Sequence, residues 1–168
     1  MKYLLRVDMK TRAVFREKWP REYQGLGGRG LIARLALSEI DPTSCPLSAA
    51  SSLVIAPGIF AGGLVPSAER LSLGGKSPLT GGIKESNSGG MTGLALGRLG
   101  IGAVVVEGKP PAGDLFLLVI SPVGAELVPA DSLRGKVTSE ATALLRKKYG
   151  SQAAVLCIGP AGERQALA

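Results

Sequence analysis

A chain of 168 residues makes one domain of ordinary size and is too short for two well-packed ones. Its 45% apolar content argues against disorder, and its 24 glycines follow no collagen period. The net charge of +7, from 20 Lys+Arg against 13 Asp+Glu, favours anionic partners, while the lack of histidine excludes Ser-His-Asp and Cys-His catalysis and imidazole-based zinc sites within this chain.

Alternating residues from Lys2 to Asp8 predict a first strand, and Ala13-Val14-Phe15 a second, so a hairpin opens the fold. Gly25-Leu26-Gly27-Gly28-Arg29-Gly30 leads into Leu31, Ile32, Leu35, Ala36 and Ile40 at helical spacing, ended by Asp41-Pro42. Ser52 to Ala56 reads as a buried strand closed by Pro57-Gly58. From there to Gly102 the chain holds 13 glycines and one aromatic, Phe60, and as a whole reads as neither strand nor helix. Long segments of that kind in compact domains are usually functional. Ala103 to Glu107, Leu115 to Ile120 and Ala125 to Val128 read as strands. Thr138 to Tyr149 reads as a helix capped by the hydroxyls of Thr138 and Ser139 and stopped by Gly150. Ala153 to Ile158 reads as a final strand. About nine strands and three helices without strict alternation predict an α+β fold, and no repeat of ~20–50 residues is visible.

Other classes fall away. The densest apolar run, Leu115 to Ile120, is six residues long, far below the ~20 that span a bilayer, and the start is charged too early for a secretory signal. Cys45 and Cys157 cannot build a disulfide framework or a four-thiolate site, and read as buried or unreactive thiols of a reducing cytosol. Arg146-Lys147-Lys148 complements a helix C-terminus. Nucleic-acid binding lacks the aromatics that stack bases.

The sharpest local signal is Ser86-Asn87-Ser88-Gly89-Gly90 before Met91, Leu94, Ala95, Leu96 and Leu99, an apolar helical face. Asn87 or Ser88 is the expected N-cap. Glycines there either leave backbone N–H groups open to an anion, with Arg70, Lys76 or Lys84 beside it, or serve close packing. Gly75-Lys76-Ser77 is no P-loop: Arg70 stands where the first glycine belongs and Pro78 follows at once. Ser77 to Gly82 reads as a turn between two strands. Gly27-Gly28-Arg29-Gly30 serves helix–sheet packing or a ligand contact from Arg29.

Taken in order, Gly25 to Leu31, Asp41-Pro42, Pro46-Leu47-Ser48, Lys76-Ser77-Pro78-Leu79-Thr80-Gly81, Asn87-Ser88-Gly89-Gly90, Val106-Glu107-Gly108-Lys109 and Ile158-Gly159-Pro160-Ala161-Gly162-Glu163 resemble the N-terminal domain of the tungsten-containing aldehyde:ferredoxin oxidoreductase family. The resemblance covers nearly the whole chain. It implies a β-rich α+β domain of two related sheets with a few helices, serving as the base for a tungsten or molybdenum bis-pterin cofactor. It implies pterin and phosphate contacts at Arg70, Asn87, Ser88 and Gly89, with Lys76 and Arg29 as further candidates. It also implies that the Asn87 main-chain carbonyl is a ligand of magnesium, an ion that suits oxygen donors.

The resemblance further implies oxidation of an aldehyde to a carboxylate, with electrons passing to ferredoxin in the cytoplasm. Residues 1–168 then form a single domain, shorter than the family's full N-terminal domain. The cysteines of the 4Fe-4S cluster and the acid–base groups belong to later domains. The chain is expected to be inactive alone, to need those domains or a subunit carrying them, and to self-associate through exposed apolar surface. No nucleic-acid or membrane partner is expected. The alternative is a non-catalytic binding or assembly module, or a truncated fragment, docking on a larger oxidoreductase subunit.

Overall fold

The computed structural model describes residues 2–166; Met1 and Ala168, the ends invoked above, lie outside the described residues. Alternation at the start forms β1 (Tyr3–Asp8), which turns back as β2 (Ala13–Lys18). A 3-10 turn at Arg21–Tyr23 leads to α1 (Gly28–Glu39), after which come β3 (Leu53–Pro57), β4 (Leu71–Lys76), β5 (Ile83–Ser88), α2 (Met91–Arg98) and β6 (Ile101–Glu107). The chain continues through β7 (Phe116–Ser121), β8 (Gly124–Pro129), a 3-10 turn at Asp131–Leu133, α3 (Thr138–Tyr149) and the short α4 (Pro160–Glu163).

Six strands form a mixed sheet in the order β2-β1-β6-β3-β4-β5, and β7-β8 form a second sheet of two. Within the larger sheet only β1 and β6 run parallel, with Leu5 opposite Val104 and Val7 opposite Val106. β6 lies at the centre with both faces covered, which explains its unbroken apolar run. On one face Leu31, Ile32 and Leu35 of α1 pack on Leu4, Val54, Ala56, Ala103 and Val105. On the other, Leu96 of α2 joins Leu5, Val7, Leu71, Ile101 and Val104, with Leu118, Ile120 and Leu127 of the second sheet laid against them. The expected α+β class with few helices is what forms.

Several local expectations are corrected. The glycine-rich middle, which as a whole reads as neither strand nor helix, contains β4, β5 and α2; the turn expected over Ser77 to Gly82 joins the two strands, and the apolar face from Met91 to Leu99 forms α2 and its C-cap. Gly74 sits in β4 because a Cβ there falls 2.5 Å from the Ile32 side chain of α1. Asn87 and Ser88 close β5 instead of capping a helix; the N-cap of α2 is Gly90, at φ +99°. The N-cap of α3 is Val137, and neither Thr138 nor Ser139 supplies a side-chain cap. Ala153 to Ile158 is no strand: it runs beside α3, with Arg146 Nε donating to the Ala153 carbonyl at 3.4 Å, and forms no ladder among the described residues.

The structure also shows a repeat that the sequence hides. β1, β2, a 3-10 turn and α1 recur in the same order as β7, β8, a 3-10 turn and α3. Both helices have 12 residues, and Gly25 and Gly135 take similar left-handed φ values of +78° and +71° after the 3-10 turn. The leading strands read Tyr-Leu-Leu-Arg-Val-Asp and Phe-Leu-Leu-Val-Ile-Ser.

Candidate functional site

β4 and β5 pair with Ser72 opposite Asn87 and Leu71 opposite Ser88, and β5 is the edge of the sheet. That register places three polar groups in a row. Arg70 Nε donates to Asn87 Oδ1 at 2.5 Å, and Asn87 Nδ2 donates to the buried Ser72 Oγ at 3.1 Å. With Asn87 holding one edge of the guanidinium, the rest of it faces Gly89: a Cβ on that glycine would lie 3.8 Å from Arg70 Nη1. Ser88 Oγ donates to the Gly89 carbonyl at 3.1 Å.

Two helix starts close around this corner. α1 begins at Gly28, at φ +51°, where a Cβ would reach within 3.4 Å of Ser72 Oγ. Gly27 lies so close to the loop after β3 that a Cβ would fall 2.6 Å from the Ile59 nitrogen. Gly58 N donates to the Arg70 carbonyl at 3.0 Å, which ties that loop to the strand carrying the site. α2 is fixed by Gly93 and Gly97, where a Cβ would fall 2.1 Å from the carbonyl oxygens of Glu69 and Ala61 respectively. Those backbone atoms cannot swing aside, so these glycines serve close packing.

Arg29, in the first turn of α1, donates from Nε to Glu85 Oε2 at 3.1 Å. The Ser72 hydroxyl, and after it the Arg29 charge, hold the Glu85 carboxyl below its ordinary range against the opposing effect of burial. Glu85 Oε1 is buried and has no hydrogen-bond partner among the described residues.

Arg70, Asn87, Ser88 and Gly89 are thus brought together, and Arg29 reaches the same corner through Glu85. Lys76 stands apart at the far end of β4. Its ammonium donates to the Pro42 carbonyl and, at 2.5 Å, to the Ser44 carbonyl, pinning the loop after α1. It borders a groove of about 520 Å³ that also holds Lys84, Lys109, Ser48 and Ser86. Sequence reasoning missed Ser72 and Glu85. Their signal is the pairing register, which puts Ser72 opposite Asn87 and Glu85 two residues before it on the same face.

The donor set of guanidinium, hydroxyl and amide groups on a glycine-floored sheet edge fits phosphate oxygens and, through backbone carbonyls, a hard cation. Among the described residues no group of three or more His, Cys, Asp and Glu could hold a metal ion, so the fit is to the phosphate and pterin portions of the expected cofactor. No helix among the described residues is long and apolar enough to cross a membrane.

Comparison with known proteins agrees in direction. Residues 4–168 match the family model described as "Aldehyde ferredoxin oxidoreductase, N-terminal domain". The tungsten-containing aldehyde ferredoxin oxidoreductases of Pyrococcus furiosus and Thermococcus kodakarensis are 40% and 39% identical over 162 residues, 95% of this chain. The chain spans 26% of the length of each of these relatives. A solved structure of the active-site complex BamBC of benzoyl coenzyme A reductase with 1,5-dienoyl-CoA superposes with a TM-score of 0.82 at 26% identity, covering 87% of this chain and 22% of that one.

Proposed function

Because the chain belongs to the aldehyde ferredoxin oxidoreductase family and matches its N-terminal domain, we propose that it is the base on which a tungsten or molybdenum bis-pterin cofactor lies. The observation that carries this is the Arg70–Asn87 bond beside Gly89, which aims a partly engaged guanidinium over an open glycine floor. In this reading Arg70 binds cofactor phosphate, while Asn87, Ser88 and Gly89 line the pterin. The Asn87 main-chain carbonyl is offered to magnesium from the edge strand. Arg29 adds positive charge at the same corner, while Lys76, bound to the Pro42 and Ser44 carbonyls, borders the separate groove at the far end of β4.

When bound, the cofactor supplies the two-electron redox chemistry that converts an aldehyde and water to a carboxylate, three protons and two electrons, the electrons leaving to ferredoxin. This chain's residues do the holding. Residues 1–168 act as a single domain, and the 4Fe-4S cluster and the acid–base groups come from other domains or a subunit. Phe60, Leu64, Leu79 and Ile83 are exposed, Phe60 at 62% and Leu64 fully. Apolar surface of that kind is what those domains, or a second copy of the chain, would cover in a cytoplasmic enzyme.

The test is cofactor retention in the assembled enzyme purified without oxygen. Arg70→Ala is expected to lose most of its tungsten or molybdenum and its fluorescent oxidised pterin, while Arg146→Ala, on the outer end of α3, keeps both. Equal retention in the two variants overturns the assignment. Wild-type protein with no metal, no pterin and no cysteine-rich partner would instead mark a binding or assembly module.

A further inference from the structure

Glu85 is an unexpected residue beside an anion site. It points to the same face of β5 as Asn87, roughly 7 Å along the strand. Its side chain is only 13% exposed, and its buried Oε1 has no hydrogen-bond partner among the described residues. A carboxylate placed there opposes any anion held by Arg70. The group set against it is Arg29, whose side chain is 78% exposed apart from its 3.1 Å bond to Glu85 Oε2. Lys84 alternates to the opposite face of the strand, and the first turn of α1 carries no acid. Drawing Arg29 away to meet an anion directly would strip the better-buried carboxylate of its one charged partner, which is strongly unfavourable.

From this geometry we infer that Arg29 and Glu85 are a charge-compensated positioning pair: Arg29 serves the anion corner by cancelling Glu85, not by touching the anion. The inference rests on the reading of Arg70 and Asn87 as a phosphate-binding corner. The pair fixes the start of α1 against β5 and leaves Arg70 to make the contact. An uncompensated unit charge at this separation, in partly wet surroundings, changes anion affinity about fivefold.

The experiment is calorimetric titration of the full chain with inorganic pyrophosphate and magnesium, alongside thermal melts. Arg29→Ala is expected to bind about fivefold more weakly. Glu85→Gln, which frees the Arg29 charge, is expected to bind at least twofold more tightly. The double variant should return to within twofold of wild type. A double variant as weak as Arg29→Ala means that Arg29 contacts the anion itself, and overturns the inference. Unchanged or weaker binding by Glu85→Gln overturns it too, and that arm stands even if Arg29→Ala does not fold. The underlying reading fails separately: wild type then binds no pyrophosphate, or Arg70→Ala binds it as well as wild type, and the inference falls with it.

Discussion

The two hairpin–helix units share an order of elements but not a degree of burial. In the first, β1 pairs on both sides and α1 buries Leu31, Ile32, Leu35 and Ala36. In the second, among the described residues, β7 and β8 pair only with each other, and α3 buries only Ala141 and Leu145. The helices are equally long and similarly introduced, though α1, with Leu31, Ile32, Leu35 and Leu37, is richer in large aliphatic side chains than α3, with Leu144 and Leu145. What also differs is the surface each helix meets: β3, β4 and β5 for α1, but the unladdered segment from Ala153 for α3. A helix of this length takes most of its stability from tertiary packing.

The largest expected contrast comes from matched leucines. Leu35→Ala should destabilise by about 4 kcal/mol, because a fully enclosed side chain leaves a cavity, and Leu145→Ala by about 2 kcal/mol, at the low end for a buried leucine. Urea unfolding of both variants measures this, and equal losses would break the comparison. A smaller effect sits at the fourth position of the leading strands. There the first unit has Arg6, bonded to Glu17, Glu39 and Glu107 at 2.9–3.0 Å, and the second has Val119. Those carboxylates, Glu39 foremost, hold the guanidinium charged. Arg6→Met should cost about 2 kcal/mol by stranding them, again read by urea unfolding, and no loss would mean that the cluster is ornamental.

The smallest effect is at the turn. Asp8 accepts from the Thr11 hydroxyl at 2.7 Å and from the Lys10 nitrogen at 2.8 Å, whereas the second unit has Ser121 at that place. The Thr11 hydroxyl, then the Lys10 amide, lower the Asp8 carboxyl below its ordinary value. Its contribution is therefore complete above the unfolded-state pKa of ~3.9 and is lost as pH falls through the lower folded value. Wild type and Asp8→Asn should differ in melting temperature at pH 6 and converge in acid. A gap that persists in acid would assign the difference to amide geometry.

How much of this was legible follows from where each signal resides. α3 spans the residues its sequence announces, because Glu140 in its first turn, the basic last turn and Gly150 are local features. The turn from Ser77 to Gly82 marked the junction of β4 and β5, but the extent of these strands was illegible because Gly74 and Gly75 answer to Ile32 and to the Ser52 carbonyl, neither of them nearby in sequence. Ala153 to Ile158 has the composition of a strand, but pairing makes a strand, and none occurs there. In the candidate site, Arg70, Asn87, Ser88 and Gly89 could be marked from motifs. Ser72 and Glu85 could not, since only the register of two strands sets them beside Asn87.

The parallel pairing of β1 with β6 has a consequence in time. Tyr3 meets Ile101 and Asp8 meets Glu107, so the middle of the sheet joins stretches about a hundred residues apart. On the ribosome the opening hairpin emerges long before its neighbour exists, and at ~5–20 residues per second it waits roughly 5–20 s. Throughout that interval Leu5 and Val7 lack their partners from β6. Contacts this distant also slow folding from the denatured chain. Nascent polypeptides cut off before Ile101 should accordingly depend on chaperones, and those extending past Glu107 should be released from them.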